Sequence, residues 1–269
     1  MNLIRICKKI SNPFTKLNTW TKVALIMGII LVLLMLANMH IKRKEGFIQR
    51  EKFIIKTGPQ IYDSFYCSIY DDLVLDRVKN NYEVGEIKRL IPTNKSRVLD
   101  IGSGTGHHVK LLNKAGYNAE GVDKSADMVT RAKNKYKNYR FKQGDALESI
   151  LYPSNTFTAI TCLYFTLYYI KDKRTFFQNC YNWLKPGGYL VIHLVNRDKF
   201  DPILNVADPL HLISAQKYAR KRITNSFIKF KNFQYKANFD LNKGNNLAEF
   251  GETLKDDSSG NVRQNKHKF

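Results

Sequence analysis

From Arg97 to Val195 short apolar runs alternate with longer amphipathic ones. The apolar runs Arg97–Ile101, Ala119–Val122, Tyr139–Lys142, Phe157–Leu163 and Tyr189–Val195 have the length and side-chain mix of buried strands. Between them, His107–Ala115, Ala126–Tyr136 and Lys173–Leu184 carry apolar residues at helical spacing. Strand–helix alternation of this kind predicts an α/β fold, a mostly parallel sheet with helices on both faces. Upstream, Phe53 to Leu90 reads as helical, with Tyr62, Tyr66 and Tyr70 on one face at i, i+4 and i+8. Ile91-Pro92 ends it, because the residue before proline avoids the helical conformation. Downstream the period changes to two: Phe233, Tyr235, Ala237 and Phe239 alternate with polar residues, as in half-exposed antiparallel strands. Asp256 to Asn261 is a turn cluster between two further short runs. Added antiparallel strands are therefore expected at the C-terminus.

One segment is apolar without period. Val23 to Met39 is 17 residues with no charge and one polar residue, Asn38. That is the lower limit for a transmembrane helix, about 17 to 25 residues. Lys22 before it and Lys42, Arg43 and Lys44 after it can snorkel to headgroups, and Trp20 sits where an interfacial aromatic would. A cleaved signal peptide is the competing reading. It has a shorter apolar region and a small-x-small exit, which Asn38-Met39-His40 does not supply. The expected organisation is a basic tail over 1–22, a single transmembrane helix over 23–41, a basic linker over 42–56 and a domain over 57–269. The domain divides into a core over 95–196 and a strand-rich extension over 197–269. Five basic residues before the span and six after it leave orientation undecided by charge.

Composition narrows the function classes. Apolar content of 43% and charged content of 25% fit a globular domain in a 269-residue chain. The net charge of +21 favours anionic surfaces, membrane or nucleic acid, but the lysines form no single arm. Cys7, Cys67, Cys162 and Cys180 form no CxxC pair and no zinc pattern, so no metal site and no disulfide framework is expected.

The chemistry concentrates at residues 98 to 106, Val-Leu-Asp-Ile-Gly-Ser-Gly-Thr-Gly. A strand runs into Gly102, Gly104 and Gly106, then a helix begins. Glycines allow the sharp turn and let backbone approach a ligand. The spacing is G-x-G-x-G, with His107 where a dinucleotide motif keeps its last glycine, and no Gly-Lys-Ser/Thr follows to make a P-loop. Asp123 ends the second strand, 17 residues after Gly106, where a carboxylate can accept two ribose hydroxyls. Gly144-Asp145-Ala146 follows the third strand; Asp145 could accept an adenine amino group and backbone N–H groups could meet the ring nitrogens.

These motifs, in this order and with Trp183-Leu184-Lys185-Pro186-Gly187-Gly188 before a fifth strand, resemble the class I S-adenosylmethionine-dependent methyltransferases over about Tyr62 to Val195. The resemblance implies a Rossmann-like fold and S-adenosylmethionine as cofactor. It implies that Asp100 orients the methionine end, that Gly102, Ser103 and Gly104 line it, and that Cys162 and Leu163 lie beside it. Asp123, Lys124, Asp145 and Ala146 would meet the nucleoside. Tyr62 and Tyr70 would belong to a helical lid. In-line methyl transfer needs an aligned acceptor and only an optional base. Tyr164, Tyr168, Tyr169 and His193 are candidates to touch the acceptor, with Tyr164 and His193 as candidate catalytic residues; His107 and His108 read as helix-start residues. The acceptor itself is open: a small molecule or a protein first, with RNA methylation or a catalytically silent interaction module as alternatives. The resemblance places the domain in the cytosol, tethered to the membrane. The usual sixth and seventh strands do not map onto the chain after Val195, which points to a variant with an added sheet or to a truncation.

Overall fold

A computed structural model describes residues 18–40, 51–93, 96–204 and 215–269, with side chains of the first stretch described to residue 33. The expected basic tail to residue 17 and the linker from 41 to 50 lie outside the described residues. The chain forms two compact units, Met1–Glu45 and Gly46–Phe269.

In the first unit, α1 (Thr19–His40) is one helix. Among the described residues no helix is long and apolar enough to cross a membrane. The crossing expected over 23–41 is therefore not supported by the described residues.

The second unit holds two sheets. Strands β2 (Arg97–Ile101), β3 (Asn118–Asp123), β4 (Arg140–Gln143), β5 (Phe157–Cys162) and β6 (Leu184–Ile192) form a five-stranded sheet in the order β4-β3-β2-β5-β6. Every pairing in it is parallel. Side chains alternate across the pleat, so both faces are apolar and both need cover. Val98, Ala119 and Ala159 face α3 (Arg77–Leu90), α4 (His107–Lys114) and α5 (Ala126–Lys135) through Val84, Ile87, Val109, Leu112 and Ala132. Leu99, Val122 and Ile160 face α7 (Lys173–Trp183) through Phe176, Cys180 and Trp183. The strand order reverses direction at β2, and in open parallel sheets that reversal opens a crevice beyond the carboxyl ends of the strands.

The second sheet has the order β1-β10-β9-β8-β7, built from β1 (Phe53–Thr57), β7 (Asn225–Lys229), β8 (Phe233–Asn242), β9 (Leu247–Asp256) and β10 (Val262–Lys268). It is antiparallel except where β1 runs parallel to β10. Phe53–Thr57, expected as the start of a helix, is thus an edge strand: its ladder partner is supplied by residues two hundred positions away, which local pattern cannot reveal. The helical reading holds from α2 (Ser64–Val74) onward. Asp63 caps α2 and Asp76 caps α3, each carboxylate accepting from a backbone N–H three residues on. The expected added antiparallel sheet is present, and its inner face (Tyr235, Ala237, Phe239, Ala248, Phe250, Leu254) packs on Ile61, Tyr66, Ile69 and Leu73.

Candidate active site

The crevice at β2 is a cavity of about 860 Å³, toward the upper end of the range of small-molecule pockets, about 300 to 1,000 Å³. Its floor is the glycine loop. Gly102, Gly104 and Gly106 all have positive φ. They are not equivalent. A Cβ on Gly102 would lie 2.2 Å from Thr166 Oγ1, so this glycine admits α6 (Thr166–Tyr169) against the loop. A Cβ on Gly104 would meet only the Tyr70 ring, at 3.9 Å, so this glycine leaves the cradle open between loop and lid.

Asp123 ends β3 and bounds the cradle. Its Oδ2 accepts from Gly104 N at 2.8 Å and its Oδ1 from Ser125 N at 2.9 Å. Each carboxylate oxygen has a second lone pair. Burial raises the Asp123 pKa, and the backbone N–H groups of Ser125 and Gly104 oppose that rise. Asp100, 2% exposed, accepts from Thr161 Oγ1 at 2.6 Å. Burial pushes its carboxyl up to about 6, with His108 and the Thr161 bond pulling the other way. A buried acid so placed is relieved by a cation. Asp145 accepts from Lys124 Nζ at 2.6 Å and from Leu147 N at 3.1 Å. Burial raises it, but the Lys124 bond outweighs that and holds it below the usual range.

The cavity brings together Tyr62, Tyr70, Asp100, Gly102, Ser103, Gly104, Asp123, Lys124, Asp145, Ala146 and Leu163. It does not include Cys162, whose side chain is fully buried in the core with Phe176 and Cys180. The correction follows from the pleat: Cys162 ends β5 facing α7, and the chain turns into the cavity only at Leu163. Both candidate catalytic residues face the cavity. Tyr164, held at φ 53°, donates to Asn80 Oδ1 at 2.6 Å beneath Lys79, whose Nζ lies 3.4 Å from the ring centre. His193 lies one residue past β6, and its Nδ1 is 3.3 Å from Glu83 Oε1, close enough for attraction but not aligned as a hydrogen bond. Glu83 Oε2 also meets His108 Nε2 at 2.8 Å, so the same carboxylate is hydrogen-bonded to the helix-start histidine.

The lid is α2. Asp71 fastens it to the floor: Oδ1 accepts from Thr105 Oγ1 at 2.6 Å and meets His107 Nε2 at 3.1 Å, and Oδ2 accepts from Lys135 Nζ at 2.6 Å. Ser125 Oγ donates to Tyr62 O at 2.7 Å and Arg131 donates to Ser68 O at 3.1 Å. Tyr62, Tyr66 and Tyr70 meet edge to face, with centroids 5.8 to 6.1 Å apart.

Three cavity residues come from the second sheet and were missed in the sequence: Phe250, Glu252 and His267. A signal was present. Arg263, Asn265 and His267 share the strand phase of Phe269, an apolar residue that marks the inward face. Polar residues at inward positions must be paired or functional.

Residues 99–192 match the family model described as Methyltransferase domain. The phosphoethanolamine N-methyltransferase of Plasmodium falciparum is 35% identical over 102 residues, covering 36% of this chain and 38% of that protein. The ubiquinone biosynthesis O-methyltransferase of Coxiella burnetii is 30% identical over 115 residues, 42% of this chain and 49% of that protein. The chain thus spans half or less of the length of these relatives. Among solved structures, the sugar N-methyltransferase KedS8 from Streptoalloteichus aligns with a TM-score of 0.53 at 18% identity, over 76% of each chain. CalS10, an amino pentose methyltransferase from Micromonospora echinaspora solved with S-adenosylmethionine bound, aligns with a TM-score of 0.51 at 17% identity, over 77% of this chain and 81% of that one. At such identities the likeness speaks for the fold. The glycine loop, Asp123 and the Asp145 turn therefore lie within a segment similar to a methyltransferase domain, on a fold shared with methyltransferases.

Proposed function

We propose that this protein is an S-adenosylmethionine-dependent methyltransferase acting on a small-molecule acceptor. The observation that carries this reading is the open cradle at Gly104, bounded by Asp123 at the tip of the second strand of the parallel sheet. S-adenosylmethionine, when bound, supplies a methyl group already activated on sulfur. Asp123 holds the ribose hydroxyls on its spare lone pairs, Asp100 compensates the amino group of the methionine end, and Asp145 with Ala146 meets the adenine. Tyr62 and Tyr70 close over the loop and exclude water. A roofed cavity suits a small acceptor better than a folded macromolecule, since α2 and the second sheet both contribute to its lining.

The test is calorimetric titration of the full chain with S-adenosylmethionine. Binding is expected, weakened at least about tenfold by Asp123→Ala, which is about 1.4 kcal/mol. No heat from the unsubstituted chain would refute the reading. Single-pass membrane attachment with the domain facing the cytosol belongs to the same proposal and rests on the sequence run Val23 to Met39 alone. Release of the full chain from membranes by alkaline carbonate would remove it.

A further inference from the structure

The wall of the cavity contributed by the second sheet carries a connected set of polar groups that cofactor binding does not use. Glu252 is 2% exposed and sits on β9 opposite Asn265 of β10. Its Oε2 accepts from Tyr66 Oη at 2.7 Å and from Asn265 Nδ2 at 3.1 Å, and meets His267 Nε2 at 2.9 Å. Its Oε1 accepts from Tyr235 Oη at 2.9 Å. Burial by itself would raise this carboxyl, but the bonds from His267, Tyr66 and Asn265 outweigh it and keep the group below the usual range. Glu252 is thus an anion, and it fixes the histidine tautomer: Nε2 must carry the proton that Oε2 accepts. In the neutral ring His267 Nδ1 is then an acceptor, and Tyr169 Oη lies within hydrogen-bond reach of it. Tyr169 Oη in turn is 3.1 Å from Tyr62 Oη, the lid tyrosine beside the glycine loop. The histidine ring is clamped by Phe165 and Phe250, with centroids 5.7 and 5.4 Å away. Arg263, 2% exposed, props the far end: Nε donates to Asn265 Oδ1 at 2.8 Å and Nη1 to both oxygens of Asp63 at 2.8 Å.

We propose that Tyr169, His267 and Glu252 form the proton-accepting relay of the methyl transfer, and that the acceptor is a small molecule presenting a hydroxyl or a protonated amine. This rests on the methyltransferase reading above. A hydroxyl must lose its proton as it is methylated, and a protonated amine must first lose one to expose the lone pair that attacks. The acceptor heteroatom bonds to the methyl carbon while the carbon–sulfur pair leaves on sulfur. The acceptor proton passes to Tyr169 Oη as the Tyr169 proton passes to His267 Nδ1. The imidazolium so formed rests against the Glu252 carboxylate. Tyr169 is the group that touches the acceptor; His267 and Glu252 are positioning residues that act through it. A histidine pointing its acceptor nitrogen at a phenol, with a carboxylate behind it, has the three-part order of a base, its orienter and the group it serves. The polar set is also costly to bury unless every member is paired, and here each has a partner.

The groups facing His267 are Glu252 from β9, Tyr169 from the end of α6, and the Phe165 and Phe250 rings, with Tyr62 and Tyr66 from the lid segment, Tyr235 from β8 and Arg263 from β10 one contact further out. Nitrogen-15 NMR of the full chain in detergent, saturated with S-adenosylhomocysteine and assigned with His267→Gln, reads the tautomer directly. The expected result at pH 7 is a neutral imidazole protonated at Nε2, with Tyr169→Phe moving the Nδ1 resonance and leaving Nε2 in place. A proton on Nδ1, or an imidazolium at pH 7, overturns the relay whether or not the cofactor reading stands. Transfer of a radiolabelled methyl group to catechol and to benzylamine is the second readout. Tyr169→Phe and His267→Gln are each expected to lower kcat about 100-fold with the cofactor KM changed less than about threefold. The residual rate of His267→Gln should rise about tenfold per pH unit where the unsubstituted enzyme is level, because the acceptor must then ionise unaided. Equal rates in variant and parent, or no transfer to either probe by a cofactor-saturated parent, overturn it. Failure of the parent to bind S-adenosylmethionine at all would instead bring down the cofactor reading and leave the tautomer result intact.

Discussion

Asp71 is the point at which the lid is tied to the glycine loop. Its side chain is 12% exposed, and it holds Thr105, His107 and Lys135 on α2's behalf. Asp71→Asn keeps an acceptor for Thr105 but removes the charge that His107 and Lys135 face. Hydrogen bonds involving a charged group contribute about 1.5 to 3 kcal/mol, so a loss of about 2 kcal/mol is expected. For a folded unit of this size that is a fall in Tm of about 4 to 8 °C. The pH dependence gives the sharper test. Burial alone would raise the Asp71 carboxyl, but the bonds from His107, Lys135 and Thr105 more than reverse this and hold it well below the usual range. A carboxylate whose folded pKa is depressed contributes stability that is fully present above its unfolded value of about 3.9 and disappears as pH falls through the folded one. The difference in Tm between parent and Asp71→Asn should therefore be full at pH 6 to 7 and shrink below about pH 4. Scanning calorimetry at both ends of that range measures it. A variant that melts within 1 °C of the parent at pH 7, or a gap that persists unchanged in acid, refutes the latch.

Asp100, pushed up to about 6 by burial, predicts that S-adenosylmethionine binds more tightly as pH rises through 6, because the cationic methionine end favours the ionised acid. Asp100→Asn should bind more weakly and with a flat pH profile, and titration calorimetry from pH 5 to 8 distinguishes the two. Without cofactor the sign is opposite: the raised pKa contributes stability below the unfolded value that is lost as pH rises through about 6. Arg263→Ala should cost about 3 kcal/mol, the lower end for breaking a buried pair because Asp63 is partly exposed, and denaturant unfolding would register it. An unfolding midpoint equal to the parent's would show that the Asp63 pair is incidental.

The cofactor half of the molecule was legible because each of its parts is local. An apolar run buried on both faces, a glycine turn and a carboxylate at a strand tip are all written within a few neighbouring residues. Arg97–Ile101 appears as expected to the residue, and the other strands and helices of that half shift mostly by one or two positions at their ends. The Tyr189–Val195 strand moved further, because Leu184 already pairs with Phe157 and the Pro-Gly-Gly stretch bulges within the ladder. The second sheet was illegible for the converse reason. Phe53–Thr57 carries too few residues to declare itself a strand, and becomes one only because β10 offers an open edge. Glu252 and His267 acquire their chemistry from partners on α2, α6 and β8, none of which is near in sequence.

The parallel pairing of β1 with β10 joins Phe53 to Val262, whereas β2 to β6 lie within one continuous hundred-residue stretch. Closing a loop of some two hundred residues costs about 4 to 5 kcal/mol of chain entropy before any contact compensates it. The two sheets accordingly have very different contact order, and the one assembled from distant segments is the slower to form. Refolding followed by pulsed hydrogen exchange would protect the amides of β2, β3 and β5 first and those of β1 and β10 last. A chain arrested between these phases has a formed glycine loop but no second sheet to complete the cavity wall.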